Sequence, residues 1–204
     1  MPAKSESQIL AYELHGNCYL NITSECTLRC QFCPKYNRTW EVQEYDLTLT
    51  REPSVSEVIE AIGDPKRYKQ IVFCGLGEPT KRFDVLMEIA RKMKAQGMSV
   101  RVNTDGLVNL VEGRDVTPEM AEVVDQLSIS LNAQNEEIYR RHTRPRREGA
   151  FDAMLDFAKK AKAAGMDVSL SAIDGLDGVD IEACQKIADH LGVAFRRRVL
   201  DNVG

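Results

Sequence analysis

Short apolar runs alternate along this chain with longer stretches in which apolar residues recur every three or four positions. Val55, Val58, Ile59 and Ile62 fall on one side of a 3.6-residue period, and Ser54 with Glu57 forms a capping box that opens a helix there. Residues 70–74 (Gln-Ile-Val-Phe-Cys) show no polar alternation, which predicts a strand buried on both faces. Phe83, Leu86, Ile89, Ala90 and Met93 then predict a helix that stops at Gly97, with the next strand over residues 99–103. Thr117-Pro118 reads as a cap with proline at the first helical position, and residues 126–131 as a strand. A helix through Phe151, Met154, Leu155, Ala158 and Ala161 ends at Gly165, before a strand over 168–172. Ile181, Cys184, Ile187 and Leu191 predict a last helix ending at Gly192, and residues 193–199 a last strand.

Two of the helix-to-strand junctions are near copies, Lys94-Ala95-Gln96-Gly97-Met98-Ser99-Val100 and Lys162-Ala163-Ala164-Gly165-Met166-Asp167-Val168. With residues 19–23 as the first, six strands separated by helices predict a parallel sheet. A closed eight-unit barrel needs about 250 residues, and the chain has 204. The expected fold is therefore α/β, an incomplete (β/α)6 TIM-like barrel forming a single domain over 1–204, with residues 1–8 flexible. Residues 11–14 and 18–23, around His15-Gly16-Asn17, predict an N-terminal hairpin. Parallel βα folds bind ligands at the C-terminal ends of their strands, which directs attention to the loops there.

Composition narrows the class. With 43% hydrophobic and 28% charged residues the chain reads as an ordinary globular protein, and a net charge of −4 makes a nucleic-acid partner unlikely on charge grounds. No apolar stretch approaches the roughly 20 residues of a membrane span, and the polar first residues lack a secretion signal, so the expectation is a cytoplasmic protein with no membrane partner.

Three cysteines stand at Cys26-x3-Cys30-x2-Cys33, within eight residues, followed by Pro34. They sit in the loop after the first barrel strand, close enough to wrap one inorganic core, and thiolates are the standard ligands of iron–sulfur clusters. Three sulfurs leave one corner of a four-iron cubane open, which points to catalysis. The competing reading is a zinc site completed by Cys18, Cys74 or His15; zinc sites usually repeat a C-x2-C pair, and the chain has no second pair. Cys18, Cys74 and Cys184 lie in apolar surroundings and read as small buried residues. Phe32 between the last two ligands would shield the core. After the second barrel strand comes Cys74-Gly75-Leu76-Gly77-Glu78-Pro79-Thr80, whose glycines permit close approach to the backbone and whose Glu78 supplies a negative charge suited to an ammonium group.

Cys-x3-Cys-x2-Cys with an aromatic before the third cysteine, and Gly-x-Gly-Glu-Pro after the next strand, resemble the radical S-adenosylmethionine (SAM) superfamily. The resemblance implies a [4Fe–4S] cluster on Cys26, Cys30 and Cys33, SAM chelating the fourth iron, and Gly75, Gly77, Glu78 and Pro79 around the methionyl ammonium. Leu76 departs from the usual Gly-Gly-Glu-Pro. Tyr12–Asn17, Tyr45-Asp46-Leu47 with Arg51-Glu52-Pro53, and Ser130–Ala133 further resemble a short subgroup associated with TatD-type nucleases. Ser130 and Asn132, with Ser128 on the same strand face, are implied ribose contacts; Thr104 and Asp105, in Asn103-Thr104-Asp105-Gly106, either touch SAM or form the turn. Ser169 and Ser171 are further candidates, and Val199 is one for the adenine.

Five arginines crowd residues 139–147 and three more stand at 196–198. Arg144, before Pro145, is the candidate for the SAM carboxylate or an anionic substrate. The resemblance implies an enzyme that cleaves SAM reductively to a 5′-deoxyadenosyl radical for hydrogen abstraction, fed by a one-electron reductant such as flavodoxin or ferredoxin. The substrate, a small molecule or a protein, is open at this stage. The alternatives are an activase that places a radical on a partner protein and a non-catalytic electron-transfer or metal-binding module.

Overall fold

His15 and Gly16, both at positive φ (54° and 77°), form the two-residue turn that folds β1 (Ala11–Leu14) back onto β2 (Asn17–Leu20), with Leu14 opposite Asn17. The computed structural model describes residues 8–36 and 39–200. The segment expected to be flexible lies outside the described residues except for Gln8, and Gln8 is held: its side-chain oxygen accepts from Thr50 Oγ1 at 2.9 Å and Arg51 N at 3.0 Å.

Past the cysteine loop, β3 (Glu41–Val42) and β4 (Tyr45–Asp46) make a small separate hairpin that the sequence pattern did not show. Helix α1 (Val55–Ile62) carries the expected capping box, with Ser54 and Glu57 bonded reciprocally. The βα series continues through β5 (Ile71–Phe73), α2 (Phe83–Ala95), β6 (Val100–Thr104), α3 (Val108–Glu112) and α4 (Thr117–Ala121). Thr117 does not cap α4: Asp115 Oδ1 accepts its N–H and its hydroxyl, at 3.0 and 2.8 Å, so the carboxylate two residues upstream organises the turn that precedes Pro118. The chain then runs through β7 (Gln126–Ser130), α5 (Glu136–Thr143), α6 (Ala150–Ala163), β8 (Asp167–Asp174), α7 (Ile181–Leu191) and β9 (Ala194–Val199).

One seven-stranded sheet has the order β1-β2-β5-β6-β7-β8-β9, antiparallel only at β1–β2. Its six parallel strands in sequential order, with helices between, form the incomplete TIM-like barrel that the pattern predicted. Register decides which residues share a face. Leu20, Phe73, Val102, Leu127 and Val168 lie in one row, and all belong to the large core that the sheet makes with Leu86, Ile89, Met93, Met154, Phe157 and other helix residues. The alternate positions face inward. There a second, smaller core joins Tyr12, Leu14 and Tyr19 to Trp40, Val42, Tyr45, Leu47 and Leu76, so the small hairpin covers the β1–β2 end of the inner face. No helix among the described residues is long and apolar enough to cross a membrane.

Candidate functional site

The loop carrying Cys26, Cys30 and Cys33 is held from three sides. At its base, Asn21 N continues the β1 pairing by donating to Leu10 O at 2.9 Å, and its side-chain amide donates to Ile9 O and Leu47 O at 3.1 and 3.0 Å. Across the barrel mouth, Arg29 N donates to Thr143 O at 2.8 Å and Gln31 N to His142 O at 2.9 Å. These carbonyls close α5, where a helix has no partners of its own to offer them. The third hold is Thr27, whose hydroxyl donates to the Asp105 carboxylate in the turn after β6. Within the loop, Cys33 N bonds Cys30 O and Tyr36 N bonds Cys33 O, at 3.2 and 2.9 Å, turning the backbone so that three half-buried sulfurs serve one locality.

Gly77 and Glu78 lock onto this loop. Glu78 N donates to Glu25 O at 2.8 Å. A Cβ on Gly77 would stand 2.7 Å from Glu25 O and nearer still to Thr23 O, so only glycine lets the two backbones meet. Gly75 is equally crowded, its Cβ position lying 3.1 Å from Asn21 Cγ and closer to Oδ1.

The Glu78 side chain turns into the protein. It is 4% exposed and accepts from Thr80 N (3.1 Å), Thr80 Oγ1 (2.8 Å), Thr104 Oγ1 (2.8 Å) and Asp105 N (2.7 Å). Thr104 and Asp105, both buried, thus belong to the turn and to Glu78: Thr104 Oγ1 accepts from Gly106 N and Asp105 Oδ1 from Leu107 N, each at 3.0 Å. Pro79 is buried in the short 3₁₀ turn that follows. What this segment exposes toward a ligand is backbone, with the carboxylate serving as the pin beneath it.

Burial governs the electrostatics. It pushes the Glu78 carboxyl up despite its four donors, and Asp105 well above the usual range, by burial first and the Glu78 charge second. Burial likewise raises the Cys26 thiol to about 12, with Asp105 and Glu78 adding to it. Cys30 is pushed up by burial and then by Cys26 and Cys33, which places the three sulfurs in one another's field. A thiol set of this kind is neutral by itself and loses its protons to a positively charged core, the behaviour expected of metal ligands. Cys18, expected as a possible fourth zinc ligand, is fully buried on the helix side of β2, and His15 sits in the hairpin turn at the other end of that strand. Among the described residues no three His, Cys, Asp or Glu side chains converge as a single ion requires. A loop of three sulfurs around a wider inorganic core fits this arrangement.

Two cavities flank the loop. One, of about 820 Å³, is lined by Arg29, Cys30, Gln31, Lys35, Tyr36, Arg144 and Arg146; the other, of about 400 Å³, by Cys26, Thr27, Lys81, Leu107, Val111, Arg146 and Arg147. Arg144 caps α5 in the left-handed conformation and is exposed. Phe32 is half-buried beside its cysteine neighbours.

Register brings the polar strand ends together. Ser128 lies between Asn103 and Ser169, and Ser130 beside Ser171, which in turn neighbours Arg196. Asn132 is buried at positive φ (55°), and its Oδ1 accepts from Arg198 Nη2 at 3.1 Å. Arg197 points away from Arg196 and Arg198, as strand alternation predicts, and pairs with Asp174. Val199 is 69% exposed at the sheet edge.

A family model described as the radical SAM superfamily matches residues 20–191, which takes in every element described above from the cysteine loop to α7. The chain belongs to that superfamily. Among curated relatives, a tungsten-containing aldehyde ferredoxin oxidoreductase cofactor-modifying protein of Pyrococcus furiosus is 30% identical over 118 residues, covering 55% of this chain and 28% of its own. A 7-carboxy-7-deazaguanine synthase of Halobacterium salinarum is 30% identical over 108 residues, covering 53% and 37%. The chain thus spans about a third of the length of these relatives. Among solved structures, SuiB of Streptococcus suis bound to its precursor peptide SuiA superposes with a TM-score of 0.66 at 14% identity, over 88% of this chain and 38% of that one. Methylornithine synthase (PylB) superposes with a TM-score of 0.60 at 17% identity, over 91% and 53%. These likenesses concern the fold, a partial barrel shared by radical SAM enzymes.

Sequence reasoning missed three parts of the site. Thr27 lies inside the cysteine motif but shows its role only through Asp105, 78 residues away. The carbonyls of Thr23 and Glu25 have no side-chain signature at all. Arg101 carried a signal that could have been read: a charged residue in the middle of a strand, Ser99-Val100-Arg101-Val102-Asn103, inside a parallel sheet where charge is rare.

Proposed function

We propose that this chain is a catalytic radical SAM domain that carries a [4Fe–4S] cluster on Cys26, Cys30 and Cys33 and cleaves SAM to abstract hydrogen from a substrate. One observation carries the reading. The cysteine loop and the Gly77-Glu78-Pro79 turn are a single hydrogen-bonded unit, joined by the Glu78 N to Glu25 O bond and by a contact that admits no side chain at Gly77. A motif that binds SAM and a motif that binds a cluster have reason to be locked so closely when one ligand bridges both. When bound, the cluster supplies an electron to SAM, which yields methionine and a 5′-deoxyadenosyl radical.

The chain's own residues position and shield. Glu78, pinned by Thr80 and Thr104, fixes the backbone that faces the methionyl end. Ser130 and Asn132, on the polar half of the inner face, are the residues for the ribose, and Arg144 is the candidate for the SAM carboxylate. Beside Cys30 the larger cavity is lined by Arg29, Lys35 and Arg146 and by no carboxylate, which suits an acidic one-electron carrier such as flavodoxin or ferredoxin. The test is anaerobic reconstitution with iron and sulfide, followed by dithionite and SAM. We expect 5′-deoxyadenosine and a cluster EPR signal that SAM perturbs; a protein that retains iron yet gives neither refutes the reading.

A further inference from the structure

The inner face of the barrel has two unlike halves. Toward β1 and β2 it is apolar and covered by the small hairpin. Toward β6–β9 it carries Arg101, Asn103, Ser128, Ser130, Ser169, Ser171 and Arg196.

Arg101 is the anomaly on this face. Its Nη2 donates to the Tyr19 hydroxyl at 3.0 Å and its guanidinium lies 5.9 Å from the centre of the Tyr19 ring. Its Nε is buried without a hydrogen-bond partner, and so is Oδ1 of Asn103, two residues along the same strand face. Among the described ion pairs none includes Arg101. Cys74 lies close enough to feel both Arg101 and Arg198, but burial holds its thiol above the usual range, so it supplies no counter-charge. Glu78, another charge felt by Cys74, has its oxygens committed to Thr80, Thr104 and Asp105. A half-buried guanidinium with no acidic partner and an Nε cut off from water is held at a cost, and its planar fork matches carboxylate and phosphate oxygens.

We propose that Arg101, with Asn103 beside it, is the subsite for an anionic group, a carboxylate or a phosphate, on a small-molecule substrate. Tyr19 is the positioning residue: it holds one edge of the guanidinium by its hydroxyl and leaves Nε and the remaining N–H groups for the ligand. A hydroxyl or ammonium next to the anionic group would meet the open Asn103 oxygen. This assignment rests on the radical SAM reading, because it makes the inner face the place where a substrate lies against SAM.

The test uses the reconstituted full chain with inorganic phosphate and with succinate as probes. Succinamide and potassium chloride at matched ionic strength are the controls, and the readouts are the thermal midpoint and equilibrium binding. At least one of the two anions should raise the midpoint in a saturable way while the controls do not; phosphate alone would indicate a phosphorylated substrate and succinate alone a carboxylate. Arg101→Gln should weaken that binding at least tenfold. Asn103→Asp supplies an internal counter-ion, and it should abolish anion binding while keeping the fold, even where Arg101→Gln does not fold. The gain should add to that from SAM.

Absence of an anion effect, or binding in both variants as tight as in the unmodified protein, overturns the assignment. So does competition between the anion and SAM, which would give Arg101 to SAM itself. The SAM-perturbed EPR signal of the same samples reports on the radical SAM reading separately, so failure of one is distinguishable from failure of the other.

Discussion

Adding one methyl group at Gly77 should uncouple the two halves of the site. A Cβ there lies 2.7 Å from Glu25 O and nearer to Thr23 O, and both obstacles are backbone in the loop that leads to Cys26. Ordinary contact requires the nearer carbonyl to retreat by about an ångström, which the loop cannot make without stretching the 2.8 Å bond from Glu78 N to Glu25 O. Overpacking of this kind costs about 1–3 kcal/mol, and losing a buried hydrogen bond adds about 1 kcal/mol. Gly77→Ala should therefore lose about 2–4 kcal/mol. At about 2–4 °C per kcal/mol for a domain of this size, the midpoint should fall by roughly 5–15 °C.

Gly75→Ala meets a side chain, that of Asn21, which is itself held by Ile9 O and Leu47 O. It should be destabilising too, but by less. The assay is thermal unfolding of both cluster-free variants, followed by iron content after reconstitution, since a displaced loop misplaces Cys26. A Gly77→Ala protein with an unchanged midpoint and full iron content would refute the reasoning, because the two backbones would then not be in the contact described.

Three further outcomes follow from the same site. Glu78→Ala leaves four buried donors without an acceptor and should cost at least about 3 kcal/mol, whereas Glu78→Gln should cost about 1–3 kcal/mol because only the Asp105 N–H then faces another donor; denaturant unfolding separates the two. Asp105→Asn can still serve Thr27 and Leu107 while removing the charge beside Glu78, and should leave the cluster-free fold as stable or more stable at neutral pH. Because the folded protein holds the Asp105 proton more tightly than the unfolded chain does, its contribution is greatest below the ordinary carboxylate range near pH 4 and declines as pH rises. Stability profiles from pH 4 to 7 should thus fall less steeply for Asp105→Asn than for the unmodified protein. Replacing any one of Cys26, Cys30 and Cys33 by alanine should abolish retention of a four-iron cluster, read as iron and sulfide content, whereas Cys184→Ala, in the helix core, should leave it intact.

Much of this molecule was written locally. The six βα units were legible because helix and strand periodicities differ and because Ser54–Glu57 and the copied glycine junctions punctuate them, all interactions within a few residues. The cysteine triplet was legible for the same reason, since one loop supplies every sulfur. Local reading still failed within a few residues where Asp115 rather than Thr117 organises the start of α4 and where the 41–46 hairpin has strands too short to show alternation. It failed at a distance for Gln8, which is tied to residues 50 and 51.

The roles inside the site were decided by the tertiary structure alone. Sequence could place Glu78 after a strand, but only the meeting of that turn with Thr104 and Asp105 buries its carboxylate and turns it from an exposed charge into a pin. Arg101 shows the same division. Its presence in a parallel strand was visible from residue type, while its lack of an acidic partner was settled by what the neighbouring strands bring alongside it. Hydrogen bonding and charge compensation depend on which atoms lie within a few ångströms, and in a barrel those atoms come from residues far apart in the chain.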